Sequence, residues 1–166
     1  MLVTDSVVAQ GTDESQKLLS LIANHTKHHG CMAILMGFFA STIDPVTLDT
    51  IFRDYFDLRW KPVADTEIHK ARLVASDQSL LRTSSLVPRM LANAAWSRGV
   101  LSSQAVYVRP VGNMAAYPTY AQVGLCKLSY IGDTGFIQGL ARLILSMCRL
   151  DRPEDNLREP RHFQPL

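Results

Sequence analysis

The spacing of apolar and polar positions predicts two capped helices in the first third of the chain. Asp13 and Gln16 are three residues apart, as in a capping box, and apolar positions then recur every three or four residues, so a first helix should begin near Asp13. Gly30 can end it, because glycine tolerates the left-handed conformation that follows many helices. Asp44 should cap a second helix with Pro45 at its first position, where a missing N–H costs nothing.

The same periodicity predicts two more helices later in the chain. Asp77 can cap a third helix, which Pro88 should kink or divide into residues 78–86 and 88–98, because proline removes a hydrogen bond and clashes one turn back. A turn over residues 132–135 should then lead into a last helix over residues 135–149.

Four segments are predicted as strands: residues 31–39, 70–76, 104–109 and 120–130. The first lacks alternation, so both of its faces should be buried, as in a central strand. Helices between strands favour parallel pairing with right-handed crossovers, whereas the last two strands can pair antiparallel. The expected fold class is therefore α/β (α+β), with a single mixed sheet of about four strands flanked by helices.

Length and composition favour one domain followed by a different kind of tail. The chain of 166 residues suits a single α/β domain over residues 1–150. Residues 151–166 contain three prolines and seven charges, which predicts a disordered or partner-docked tail. Only 19% of the residues are charged, below the usual share of about 25%, and surplus apolar surface often lies at a subunit interface. The low charged share therefore favours an oligomer or an assembly component.

Charge and cysteine content exclude some classes of protein. A net charge of +2 is far from the strongly basic balance of a dedicated nucleic-acid binder. The cysteines are odd in number and lie inside apolar runs: Cys31, Cys126 and Cys148. This is typical of free thiols in a reducing environment. The first residues do not resemble a signal peptide and no run of about 18 apolar residues occurs, so no membrane association is expected.

One cluster could suggest a metal ion. His25, His28, His29 and Cys31 carry the donor atoms that zinc accepts. Cys31 begins a predicted buried strand, however, and histidines near the carboxyl end of a helix are explained by its dipole. Four carboxylates of the second helix are spaced so that they scatter around it: Asp44, Asp49, Asp54 and Asp57. Neither a metal ion nor a cofactor is therefore predicted.

The segment Gly132-Asp133-Thr134-Gly135 allows two further interpretations. Asp133-Thr134-Gly135 matches the triplet of aspartic proteases, but it lies directly before a predicted helix, where an N-cap explains it. Alternatively, Gly132, Thr134 and Gly135 could hold a phosphate at the start of that helix, although the lysine of a phosphate-binding loop is missing. No serine or cysteine has the setting of an activated nucleophile, so no catalytic residue is predicted.

Basic side chains offer a candidate RNA-binding surface. Arg82 and Arg89 would share one face of the third helix. Further basic residues could extend this surface: Arg53, Arg59, Lys61, Lys70, Arg72 and Arg98. Tyr107, Tyr117 and Tyr120 could stack on bases, as aromatic rings do in proteins that hold single-stranded RNA without reading its sequence.

A resemblance to a known family adds an expectation about function. The second half of the chain contains Arg109-Pro110-Val111, then residues 120–125 and then a helix, and the first half contains a glycine and an aliphatic strand at residues 30–35. Together these segments resemble the minor inner-core protein of the enveloped double-stranded RNA phages, the cystoviruses. The similarity covers about the middle two thirds of the chain and consists of strands and turns rather than functional residues.

The resemblance implies a non-enzymatic, homodimeric cofactor of virus assembly and RNA packaging, located in the virion inner core and, during assembly, in the host cytoplasm. Its implied partners are the inner capsid shell, the packaging motor and the polymerase. Two alternatives stay open: a small α/β enzyme or nucleotide-binding protein that uses residues 132–135, and a regulatory binding module.

Overall fold

The computed structural model describes residues 1–63, 67–76, 81–109, 115–137 and 139–151, with the backbone alone for residues 133–137. The predicted tail beyond Asp151 and the predicted cap at Asp77 lie outside these residues. Within them the fold is mixed α/β, as predicted, with helices packed on a mixed sheet.

The helices of the described chain are α1 (Asp13–His28), α2 (Phe38–Thr42), α3 (Pro45–Phe56) and α4 (Leu140–Met147), with short 3-10 helices at Ser6–Ala9 and Ser102–Gln104. The strands are β1 (Leu2–Val3), β2 (Met32–Leu35), β3 (Lys61–Val63), β4 (His69–Leu73), β5 (Arg89–Ala94), β6 (Trp96–Arg98), β7 (Ala105–Val108), β8 (Ala116–Val123), β9 (Cys126–Tyr130) and β10 (Asp133–Ile137).

The sheet is larger than predicted, with ten strands among the described residues rather than about four. Its main order is β1-β2-β9-β8-β7-β4-β5-β10, and β6 pairs with both β3 and β8. Among the described strands, β2 pairs in parallel with both β1 and β9, and the other pairs are antiparallel. In the sequence, β9 and β10 are separated by Ile131 and Gly132 alone. In the sheet they are far apart in the order of pairing, because β10 lies at the last position, beside β5.

The predicted third helix is wrong. Residues 89–98 form β5 and β6, in which exposed Arg89 and Leu91 alternate with buried Met90 and Ala92. This is the period of two that marks a half-buried strand. The alanines and leucines of the segment favour a helix by propensity, but pairing with β4 on one side and β10 on the other overrides that preference.

Two other boundaries also differ from the prediction. The expected strand over residues 120–130 is an antiparallel hairpin, in which β8 turns at Gly124 and Leu125 into β9. The expected turn and helix start at residues 132–135 is wrong, because Asp133–Ile137 is β10 and the last helix begins at Leu140 after Gly139.

Strand β2 separates two hydrophobic cores. Its predicted burial on both faces is confirmed, although the strand is shorter than expected and is followed by Gly37 and α2. Ala33 and Leu35 pack with α1 and α3, whereas Ile34 packs on the other side with residues of β5, β7 and α4. The chain therefore buries helices on both sides of this strand.

The capped helix starts follow the sequence closely. The Asp44 carboxylate accepts hydrogen bonds from the backbone N–H groups of Val46 and Thr47 at 3.0 and 2.9 Å, with Pro45 at the first helical position. Helix α1 begins at Asp13 as predicted, but its cap is Thr12, whose hydroxyl accepts from the N–H of Ser15.

Candidate nucleic-acid interface

Strands β4 and β5 place two arginines directly opposite each other. Arg72 is the cross-strand partner of Arg89, and both side chains are exposed. The neighbouring N–H of Leu73 donates to the carbonyl of Pro88 at 3.0 Å, so the arginine pair occupies a non-hydrogen-bonded position. Side chains approach most closely at such positions, and like charges there destabilise the sheet.

Lys70 adds a third positive charge to the same face. It lies two residues before Arg72, about 7 Å along the strand, and is the diagonal neighbour of Arg89. Among the described residues, none of these three cations takes part in an ion pair. We call Lys70, Arg72 and Arg89 the cation ladder.

A second pair of cations lies on β3 and β6. Lys61 is directly opposite Arg98, and both are exposed. Arg59 precedes Lys61 by two residues and is also exposed. Three of the eight residues predicted to bind RNA therefore lie near one another here, while Lys70, Arg72 and Arg89 form the cation ladder.

The remaining two predicted RNA ligands have partners within the protein. On α3, Arg53 donates to the carboxylate of Asp54 at 2.8 Å. Arg82 does not lie on a helix with Arg89: it contacts Asp151, which follows α4. Its guanidinium donates to the carbonyl of Asp151 at 2.7 Å and lies 3.8 Å from the Asp151 carboxylate, whose side chain is 1% exposed.

We expect Arg82 to stabilise the fold rather than to bind RNA. Replacing Arg82 with alanine leaves the buried Asp151 carboxylate without its cation, and we expect a loss of about 1–3 kcal/mol in the free energy of unfolding. Urea unfolding measures this loss, and adding Asp151→Asn to the Arg82→Ala variant should restore part of it. An unchanged stability combined with weaker RNA binding would contradict this assignment.

The tyrosines proposed to stack on bases are core residues. Tyr107, Tyr117 and Tyr120 are 1%, 1% and 7% exposed. The Tyr107 hydroxyl donates to the carbonyl of Val87 at 2.8 Å, and burial raises the pKa of this hydroxyl. The cation ladder can therefore contact phosphates, but these rings cannot reach a base.

The histidines at the end of α1 form local contacts. His25 and His29 stack with ring centroids 4.7 Å apart, and His28 Nδ1 lies 2.9 Å from the carbonyl of Asn24. Within the described part of the chain, no three histidine, cysteine or acidic side chains are grouped so that they could hold a metal ion.

The phosphate-binding alternative loses the helix start on which it was based. Gly132 joins β9 to β10, and its carbonyl accepts a hydrogen bond from the N–H of Ala95 at 2.8 Å. A Cβ atom at Gly132 would lie 2.3 Å from the carbonyl oxygen of Ala95, so close packing of two strands explains this glycine. Thr134 and Gly135 lie on β10 rather than at a helix terminus.

Sequence reasoning named the ladder residues but missed their arrangement. Assigning residues 88–98 to a helix put Arg89 beside Arg82, whereas the structure puts it opposite Arg72. Alternation of polar and apolar residues gave no signal for a strand here, because the exposed Leu91 is itself apolar. A second grouping that the sequence analysis missed joins Cys31 to Cys126, 95 residues apart, and no local pattern could have revealed it.

Comparisons with known proteins do not assign a family: no family model, curated protein or solved structure matches the chain. Among the residues that the structure describes, no helix combines the length and the apolar character that a membrane span requires.

Proposed function

We propose that this protein is a non-enzymatic assembly factor that binds single-stranded RNA through the cation ladder. The observation that carries the proposal is the direct opposition of Arg72 and Arg89, with Lys70 diagonal to them. The resemblance described above supports the wider proposal of a homodimeric packaging cofactor in a viral inner core, in contact with capsid, motor or polymerase.

An anionic ligand would offset the electrostatic cost of placing two arginines opposite each other. Two arginines at one cross-strand position repel each other, whereas a phosphate between them would accept hydrogen bonds from both guanidinium groups. Arginine suits this role because its planar donors match the oxygens of a phosphate. A bound phosphate therefore removes the repulsion that the free sheet carries.

The strand geometry favours an extended nucleic acid over a single small anion. Lys70 and Arg72 repeat at about 7 Å along β4, comparable to the separation of successive phosphates on an extended strand. Since the candidate tyrosines are buried, binding should depend on the backbone of the RNA and very little on its sequence.

The test is the salt dependence of RNA binding. We compare the protein with the triple variant Lys70→Gln, Arg72→Gln and Arg89→Gln, using fluorescence anisotropy of labelled single-stranded RNA between about 50 and 200 mM salt. Each phosphate contact contributes about 0.7 to the slope of log affinity against log salt for a single strand, so the slope should fall by about 2.

A matched control removes the same number of charges elsewhere. Lys17→Gln, Lys27→Gln and Arg53→Gln neutralise three cations on α1 and α3, and this variant should keep the slope of the unmodified protein. Equal losses in both triple variants would reduce the effect to net charge and would contradict a specific interface. An unchanged slope in the ladder variant would overturn the proposal.

A further inference from the structure

Two of the three cysteines meet at the start of neighbouring parallel strands. Cys31 directly precedes β2 and Cys126 is the first residue of β9, where Met32 pairs with Lys127. The two Sγ atoms are 3.0 Å apart, and the backbone N–H of Cys31 donates to the sulfur of Cys126. Both side chains are free thiols.

The backbone at this position suits a covalent link. Neighbouring strands lie about 4.7–4.9 Å apart, inside the range of about 4.4–6.8 Å between Cα atoms that a disulfide spans. Only a small movement of the two sulfur atoms is needed to reach bonding distance. The third cysteine, Cys148, follows α4, and it packs with the other core.

We propose that Cys31 and Cys126 form a reversible intramolecular disulfide by exchange with a low-molecular-weight disulfide such as oxidised glutathione. Cys31 is partly exposed and is the point of entry, whereas Cys126 is 1% exposed and acts as the resolving thiol.

The exchange has two steps. The Cys31 thiolate attacks one sulfur of the small disulfide, forms a mixed disulfide and releases one small thiolate. The Cys126 thiolate then attacks Cys31 Sγ and displaces the second small thiolate. Two protons leave the cysteines, and both small thiolates take up protons in solution. The protein is oxidised by two electrons, and one small disulfide is reduced to two thiols.

The environment of the Cys31 thiol determines the pH at which the exchange should be tested. Burial, followed by the hydrogen bond and the charge of Cys126, raises the pKa of the Cys31 thiol, although the nearby amino terminus opposes the shift. Because the thiolate is the attacking species, the exchange should be assayed at mildly alkaline pH.

The bond would fix a junction of three elements. The turn between β8 and β9 contacts the end of α1, where the N–H of Leu125 donates to the carbonyl of Lys27 at 2.8 Å. A link between Cys31 and Cys126 closes a loop of 95 residues and restrains the unfolded chain. We therefore expect oxidation to raise the Tm by on the order of 5–10 °C.

The experiment uses the full chain carrying Cys148→Ser, which leaves the two cysteines of interest. The protein is incubated with graded ratios of oxidised to reduced glutathione, quenched by alkylation and digested with trypsin. We expect a cross-linked pair of peptides containing Cys31 and Cys126, a mass lower by two hydrogen atoms, and a higher Tm that reductant reverses.

The matched control is Cys31→Ser in the same background. It should retain the fold of the reduced protein, judged by circular dichroism, and should show no rise in Tm with oxidant. Recovery of both cysteines as separate alkylated or glutathionylated peptides from folded protein would overturn the proposal. A cross-link that joins two chains instead of one would also overturn it.

Discussion

Replacing Arg72 with glutamate is expected to stabilise the protein and, at the same time, to weaken its binding of single-stranded RNA. The substitution turns the opposed pair of Arg72 and Arg89 into an ion pair across β4 and β5. Opposite charges in directly paired positions stabilise a sheet and like charges destabilise it, so the gain should be about 1 kcal/mol. The affinity for RNA should fall about tenfold or more, because an attractive contact becomes repulsive.

A double-mutant cycle separates the two effects. Arg89→Glu alone should also stabilise the sheet, whereas combining it with Arg72→Glu restores a repulsive pair and should return the stability close to that of the unmodified protein. RNA binding should instead be weakest in the double variant, since both contacts are lost. The effects of the two substitutions on the free energy of unfolding are therefore expected to be strongly non-additive, whereas their effects on the affinity for RNA should add.

Thermal unfolding and anisotropy of labelled RNA at low salt provide the two readouts. A rise in Tm of about 2–4 °C corresponds to the expected gain for a chain of this size. If each single substitution lowered the Tm, the two side chains would not repel each other in the folded protein. If the affinity for RNA were the same in all four proteins, the cation ladder would not be an RNA interface.

The elements that the sequence predicts correctly are those whose decisive residues lie within the element. Helix α3 was predicted well because Asp44 and Pro45 determine its start within a few residues. The burial of β2 on both faces followed from an uninterrupted apolar run. In both cases the decisive residues lie inside the element itself, so tertiary context was not needed.

The errors arose where partners distant in the sequence decide the structure. Residues 89–98 contain good helix formers, but β5 is held by β4 before it and by β10 some forty residues after it. The number of strands was underestimated for a related reason: several strands have only two or three residues, as in β1, β3 and β6. A segment of that length carries no recognisable period.

The candidate site shows the same contrast between features that local sequence reveals and features that distant partners decide. Basic residues could be named from the sequence, yet which of them act together depended on the register of β4 with β5 and of β3 with β6. Arg82 was placed beside Arg89 on one face of a predicted helix, whereas it contacts the buried Asp151. The residues predicted to contact RNA therefore divide into cations that cluster with one another and residues that already have acidic partners.

Replacing Gly124 with alanine is expected to be the most destabilising of the substitutions considered for this protein. Gly124 has a φ of +59°, and a Cβ atom there would lie 2.3 Å from the carbonyl oxygen of Lys27. An alanine in the left-handed region costs about 1–2 kcal/mol. Moving the turn away from α1 also breaks the hydrogen bond between the N–H of Leu125 and the carbonyl of Lys27, and an unpaired group of this kind costs about 1–3 kcal/mol. The expected loss in the free energy of unfolding is therefore about 2–5 kcal/mol.

Gly30 provides a matched control at the same end of α1. Its φ of +64° is nearly the same, but nothing lies within 4 Å of the position where a Cβ atom would stand. Gly30→Ala should therefore show the conformational cost alone, about 1–2 kcal/mol, and the difference between the two variants measures the contact between the hairpin and the helix. Equal losses in urea unfolding would mean that the close approach of Gly124 to Lys27 does not contribute to stability. A larger loss for Gly124→Ala would show that the turn between β8 and β9 holds the end of α1 against the sheet, at the position where Cys31 and Cys126 meet.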